Sequence, residues 1–107
     1  MLKFYDEIPE MTFFSGDTLP VFSVEVEEEN IENYEMQIII SKLKSPEMPI
    51  LSKKCTKADN KFQVQITSLE TKNLHEGIYR ISFVMTDKNE LEYIKLSGIA
   101  YVRSTGG

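Results

Sequence analysis

The feature that most narrows the fold of this chain is alternation at period two. In Phe22-Ser23-Val24-Glu25-Val26-Glu27, apolar and polar side chains take turns. Successive side chains of a strand point to opposite faces, so such a segment buries one face and wets the other. The period recurs over 34–43, where Tyr34, Met36, Ile38 and Ile40 share a face and Ile39 predicts partial cover on the other. It returns in Phe62, Val64 and Ile66, then in Tyr79, Ile81, Phe83 and Met85, and in a last run from Leu91 to Val102. Thr12-Phe13-Phe14 supplies a short first strand. Ile50 to Thr56 supplies a lysine-rich one suited to a sheet edge, where lysines discourage unwanted pairing.

The segments between these runs read as turns. Pro46 and Pro49 bracket a connection, since each fixes its own φ and removes a ladder donor. Ala58-Asp59-Asn60-Lys61 is a polar turn, and Asp87-Lys88-Asn89-Glu90 is a hairpin turn with Asn89 placed to go left-handed. Gly98 interrupts the last strand and predicts a bulge or bend. Residues 68–76 are the one helix-like stretch, one or two turns long, with Ser68 as the cap and Gly77 as the stop. About seven strands, no sustained helix and no βαβ rhythm predict an all-β chain of two packed antiparallel sheets. A length of 107 residues suits one domain, here 1–103, with 104–107 as a flexible tail.

Composition excludes several chemistries. A single cysteine, Cys55, forbids an intramolecular disulfide, and one histidine, His75, cannot join it in a zinc cluster. The five glycines are scattered, so there is no phosphate-cradling loop, and no nucleophile elbow accompanies His75. The expectation is therefore a non-enzymatic module without cofactor or metal. The first residues lack the apolar core of a secretion signal, and no run reaches the length of a membrane span, which predicts synthesis in the cytoplasm.

Charge is split along the chain. Residues 1–40 hold ten carboxylates against Lys3, whereas 41–61 hold six lysines against Glu47 and Asp59. Two groups stand out as candidate interface residues: Glu27, Glu28, Glu29 and Glu32 on the acidic side, and Lys53, Lys54 and Lys57 on the basic side. Such patches favour head-to-tail association of copies, and the net charge of −5 disfavours nucleic acid as a partner.

Leu74-His75-Glu76-Gly77-Ile78-Tyr79 has a structural meaning. A tyrosine that opens a strand after a Gly-containing turn is placed to form a tyrosine corner, its ring in the core and its hydroxyl bonded to upstream backbone. Leu74, Gly77 and Tyr79 are the residues assigned to it.

The order Ser15-Gly16-Asp17-Thr18-Leu19-Pro20, Phe62-Gln63-Val64-Gln65-Ile66, Leu69 to Leu74, Gly77-Ile78-Tyr79 and Leu96 to Val102 resembles a known family. It is similar to the immunoglobulin-like β-sandwich domains of bacteriophage virion proteins, notably the N-terminal domain of baseplate upper proteins. The resemblance spans 12–103. It departs at Asn89, where such domains often carry Gly, and in the acidic stretch 27–34. What it implies is an immunoglobulin-like sandwich in the virion, docking to other virion subunits within a tail, baseplate or fibre attachment, as a homo-oligomer in the assembly. Two other readings remain open from the residues alone. A carbohydrate or cell-surface binding module needs exposed rings among Tyr5, Tyr34, Tyr93 and Tyr101, and a small inhibitor of a host protein would use its acidic surface to imitate nucleic acid.

Overall fold

The computed structural model describes residues 2–4, 8–26, 31–45, 48–89 and 91–104. In chain order the elements are β1 (Leu2–Phe4), β2 (Met11–Phe14), β3 (Phe22–Val24), β4 (Glu35–Lys42), β5 (Pro49–Lys54), β6 (Thr56–Ala58), β7 (Lys61–Val64), α1 (Ser68–Thr71), β8 (Gly77–Thr86) and β9 (Glu92–Arg103). A four-stranded sheet has the order β1-β3-β7-β6 and a five-stranded sheet the order β2-β9-β8-β4-β5. The chain is thus mostly β, two sheets with one short helix.

Two expectations are corrected here. The sheets are mixed rather than antiparallel, because β1 pairs parallel with β3 and β2 pairs parallel with β9. The described strands number nine rather than about seven. One extra strand is β1. The other arises because the lysine-rich segment is not one strand: Lys54 pairs with Gln37 in one sheet, and Thr56 pairs with Gln63 in the other. The chain changes sheets at Cys55, whose side chain is buried and whose N–H donates to the Met36 carbonyl at 2.8 Å.

Alternation places the core as predicted. Met36, Ile38 and Ile40 of β4 and Tyr79, Ile81, Phe83 and Met85 of β8 face Phe22 and Val24 of β3 and Phe62 and Val64 of β7. Across the interior, the Phe22 and Phe83 rings meet edge to face, with centroids 6.1 Å apart, a contact worth about 1 kcal/mol beyond its burial. The fold is held from both sheets at once.

Three local expectations change. The cap of α1 is Thr67, not Ser68: its hydroxyl accepts from the Glu70 N–H while the Glu70 carboxylate accepts from the Thr67 N–H. Gly77 opens β8 instead of stopping the helix. Among the described non-glycine residues, the left-handed ones are Asp59 and Asn60, with φ of 51° and 58°, and not Asn89. Two adjacent positive φ values between the paired Ala58 and Lys61 make a type I′ hairpin.

Gly98 marks no bulge. Its pairing with Ile81 lies inside an unbroken register, and the irregularity comes instead between Met85 and Thr86, beside the hairpin turn. The physical reason for the glycine is proximity. A Cβ at 98 would stand 2.6 Å from both the Cβ and the carbonyl oxygen of Ile8, so the chain between β1 and β2 lies directly on β9 there.

Candidate interaction surfaces

The residues singled out around Tyr79 come together at one end of the sandwich. Leu74 is fully buried and its N–H donates to the Thr71 carbonyl at 2.9 Å. Tyr79 is buried in the core, and its hydroxyl donates to the His75 carbonyl at 2.6 Å. Burial raises the phenol above its ordinary pKa, because the charged form loses its hydration. Gly77 is half-buried beside the Tyr79 ring, where a Cβ would sit 3.7 Å from Cε2.

A residue that sequence reasoning missed ties this end to the β2–β3 turn. The Thr71 hydroxyl, fully buried, donates to the Asp17 carbonyl at 2.7 Å and accepts from the Gly16 N–H at 3.0 Å. Gly16 has a φ of 92°, which a side chain would strain, and the Asp17 carboxylate accepts from the Phe14 N–H at 3.0 Å. The Ser-Gly-Asp motif therefore serves to fold a turn onto α1. Its short polar side chains were the available signal.

The two charged groups are placed differently. Lys53 bridges the sheets: its Nζ donates to the Gln65 carbonyl at 2.7 Å and to Glu70 Oε1 at 2.9 Å. That bond, together with the Thr67 N–H, holds the Glu70 carboxyl below the usual range. Lys57 donates to the Glu32 backbone carbonyl at 3.2 Å and to Glu35 Oε1 at 3.3 Å, so it is tied down within one molecule by a carboxylate outside the acidic group. A further intramolecular pair, outside both groups, joins Lys61 to Glu25 at 2.9 Å. Lys54 and Glu32 are exposed. Glu27, Glu28 and Glu29 lie outside the described residues, as do Tyr5 and the 105–107 part of the tail. Of the other tyrosines, Tyr34 is half-buried against the core and Tyr101 is half-buried on β9.

Reactive chemistry finds little footing. Burial pushes the Cys55 thiol up to about 12, so the thiolate needed for attack is not formed near neutrality. A groove of about 580 Å³ runs between Glu35, Gln37, Lys54, Val84, Asp87 and Lys88. Its carboxylates are already engaged: Glu35 with Lys57, and Asp87 Oδ1 with the N–H groups of Asn89 and Leu91 at 2.8 and 3.0 Å. Among the described residues, no group of three or more His, Cys, Asp or Glu side chains is placed to hold a metal ion.

No protein-family profile matches the chain, and no curated protein matches it in sequence. Nine chains of solved structures do match. One of them is the N-terminal domain of ORF48 of phage TP901-1, which aligns over 96% of this chain and 99% of that one with a TM-score of 0.58. The likeness is one of fold. Sequence identity across it is 8%, so side-chain chemistry does not carry over.

Proposed function

We propose that this chain is a non-enzymatic, immunoglobulin-like module of a phage particle, working by contact with neighbouring virion subunits. The observation that carries the reading is the alignment of nearly the whole chain with nearly the whole of a domain from a phage protein. The strand order supports the immunoglobulin-like part. In such sandwiches the second, fifth and fourth strands share one sheet with the first, and the seventh, sixth and third share the other. Here β3, β7 and β6 lie together, as do β9, β8, β4 and β5, with the first strand divided into β1 and β2. The Tyr79 bond to the His75 carbonyl fits the tyrosine corner expected where the sixth strand begins.

The contacts of such a module are surface patches. Glu32 and Lys54 belong to them in this reading, with Glu27, Glu28 and Glu29 included on their sequence alone, while Lys53 and Lys57 serve internal ties as well. Copies associate within the assembly, and salt weakens that association where acid meets base. The test is mass spectrometry and immunogold labelling of purified particles, which should find the protein at the tail. Particles that are complete and infective without it would overturn the reading.

A further inference from the structure

The edge strand β2 is held loosely, and the turn that follows it is held firmly. The one ladder of β2 is its four-residue parallel pairing with β9, and parallel pairing is slightly the less stable kind per residue. Within 8–14, Ile8 and Phe13 are buried and Met11 is partly so, whereas Pro9, Glu10, Thr12 and Phe14 are exposed. Two buried side chains therefore anchor the whole segment. The turn after it is fastened to α1 through the Thr71 hydroxyl, and beyond the turn Leu19 is buried with its N–H on the Ile66 carbonyl at 3.0 Å.

The bed beneath this strap is complete without it. Lifting β2 leaves β9, β8, β4 and β5 paired in their own registers. The bed is also particular about what it accepts. At Gly98 the Ile8 backbone occupies the space a Cβ would take, and five positions later the Phe13 ring enters the core. The segment with that spacing is 8–14 itself, and a second copy supplies it with every contact unchanged. The preceding strand β1 travels with it, and its pairing of Leu2–Phe4 with Phe22–Val24 is remade in the same way.

Gly16 is the joint. To lay the strap on its own sheet, the chain folds back over 14–17, where the Asp17 N–H donates to the Phe14 carbonyl at 3.0 Å and Gly16 takes a φ of 92°. A chain that runs straight on to a neighbour has no need of that left-handed residue.

We propose that two copies of this chain exchange the strap 8–14, each laying it along the β9 of the other, with residues 15–18 straightened between them. The occupant follows from shape, since the bed fits the strap and the second copy carries the same strap. The inference gives a form to the association of copies in the reading above and takes only its setting from that reading.

The test is sedimentation of the purified wild type and of Gly16→Ala. A methyl group at 16 meets nothing nearer than Lys72 Cγ at 3.9 Å, so the substitution penalises the closed turn through its backbone alone. Straightening removes that penalty at both joints, about tenfold each, so G16A should dimerise with an association constant about a hundredfold above wild type. Thr12 and Tyr101 are partners in the β2–β9 ladder. Mixing G16A copies that carry T12C with G16A copies that carry Y101C should give interchain disulfides about tenfold above a T12C and T56C mixture, Thr56 being in the other sheet. Placing T12C and Y101C in one chain and oxidising it at high dilution should lock G16A as a monomer. A G16A that melts lower yet sediments as a monomer at every concentration would overturn the proposal. So would a dimer whose T12C–Y101C yield matches the T56C control, or one that the lock leaves intact. Absence of the chain from purified particles defeats the virion setting instead, a separate result from the dimer constant of the pure protein.

Discussion

At two places, β1 to β2 and β5 to β6, the chain steps from an edge strand of one sheet to an edge strand of the other, and these two edge crossings are secured in different ways. At Ile8 the backbone lies against Gly98, and the crossing depends on space. At Cys55 it depends on polar ties: the Cys55 N–H bonds to Met36, and Lys53 reaches across to Gln65 and Glu70. Both residues are buried and belong to the core cluster. The lesson concerns tolerance. A steric fit fails abruptly when one methyl group is added, whereas a set of polar ties weakens by degrees.

Four substitutions probe that contrast, in descending order of expected effect. Gly98→Val should cost about 3 kcal/mol, read as a lower urea midpoint, because backbone and side chain of Ile8 both occupy the space needed. Adding Ile8→Ala should recover little, since the Ile8 carbonyl oxygen remains 2.6 Å from the new Cβ. A neutral Gly98→Val would sink the steric account of this crossing.

Cys55→Ser should cost about 1–2 kcal/mol by burying a hydroxyl in a site shaped for a thiol. The wild-type thiol should react with a disulfide reagent at a rate that follows opening of the fold, and rapid native labelling would contradict the burial. Because its native pKa is raised above that of the unfolded chain, folding is favoured fully below the unfolded value of 9.0. That contribution is lost as pH rises from there toward about 12, and Cys55→Ala should flatten this alkaline slope.

Tyr79→Phe supplies a yardstick away from both crossings, removing one hydrogen bond and almost no volume. A loss of about 1 kcal/mol is expected, and an unchanged denaturation midpoint would remove the corner assignment. Smallest is Glu70→Gln, at a few tenths of a kcal/mol, since the Lys53 pair is still partly reached by solvent and the amide can keep the hydrogen bonds of the cap. Its sign is set by the lowered carboxyl pKa: the contribution is present above the ordinary glutamate range and fades as pH falls through the native value. The wild type and E70Q should therefore converge in acid.

Much of the fold was legible because period two is a local signal. The core faces of β4, β7 and β8 follow from alternation alone. What alternation cannot convey is which sheet a strand joins. Ile50 to Thr56 reads as one run, and only the burial of Cys55 between differently paired neighbours shows that it is two. Parallel pairing at β1 and β2 is equally silent, since it depends on partners distant in sequence. The charged groups were visible as groups, but not that Lys53 and Lys57 would be drawn into internal bonds.

Parallel pairing of β2 with β9 sets Met11 beside Ala100 and Phe14 beside Arg103. An antiparallel hairpin can zip from its turn, but this ladder has no local nucleus and waits for the far end of the domain. During synthesis this hydrophobic segment must therefore leave the ribosome and remain unpaired until β9 has emerged. The domain closes after translation of its last strand, and until then Met11–Phe14 is open to the chaperones, or to the neighbouring nascent chains, that reach it first.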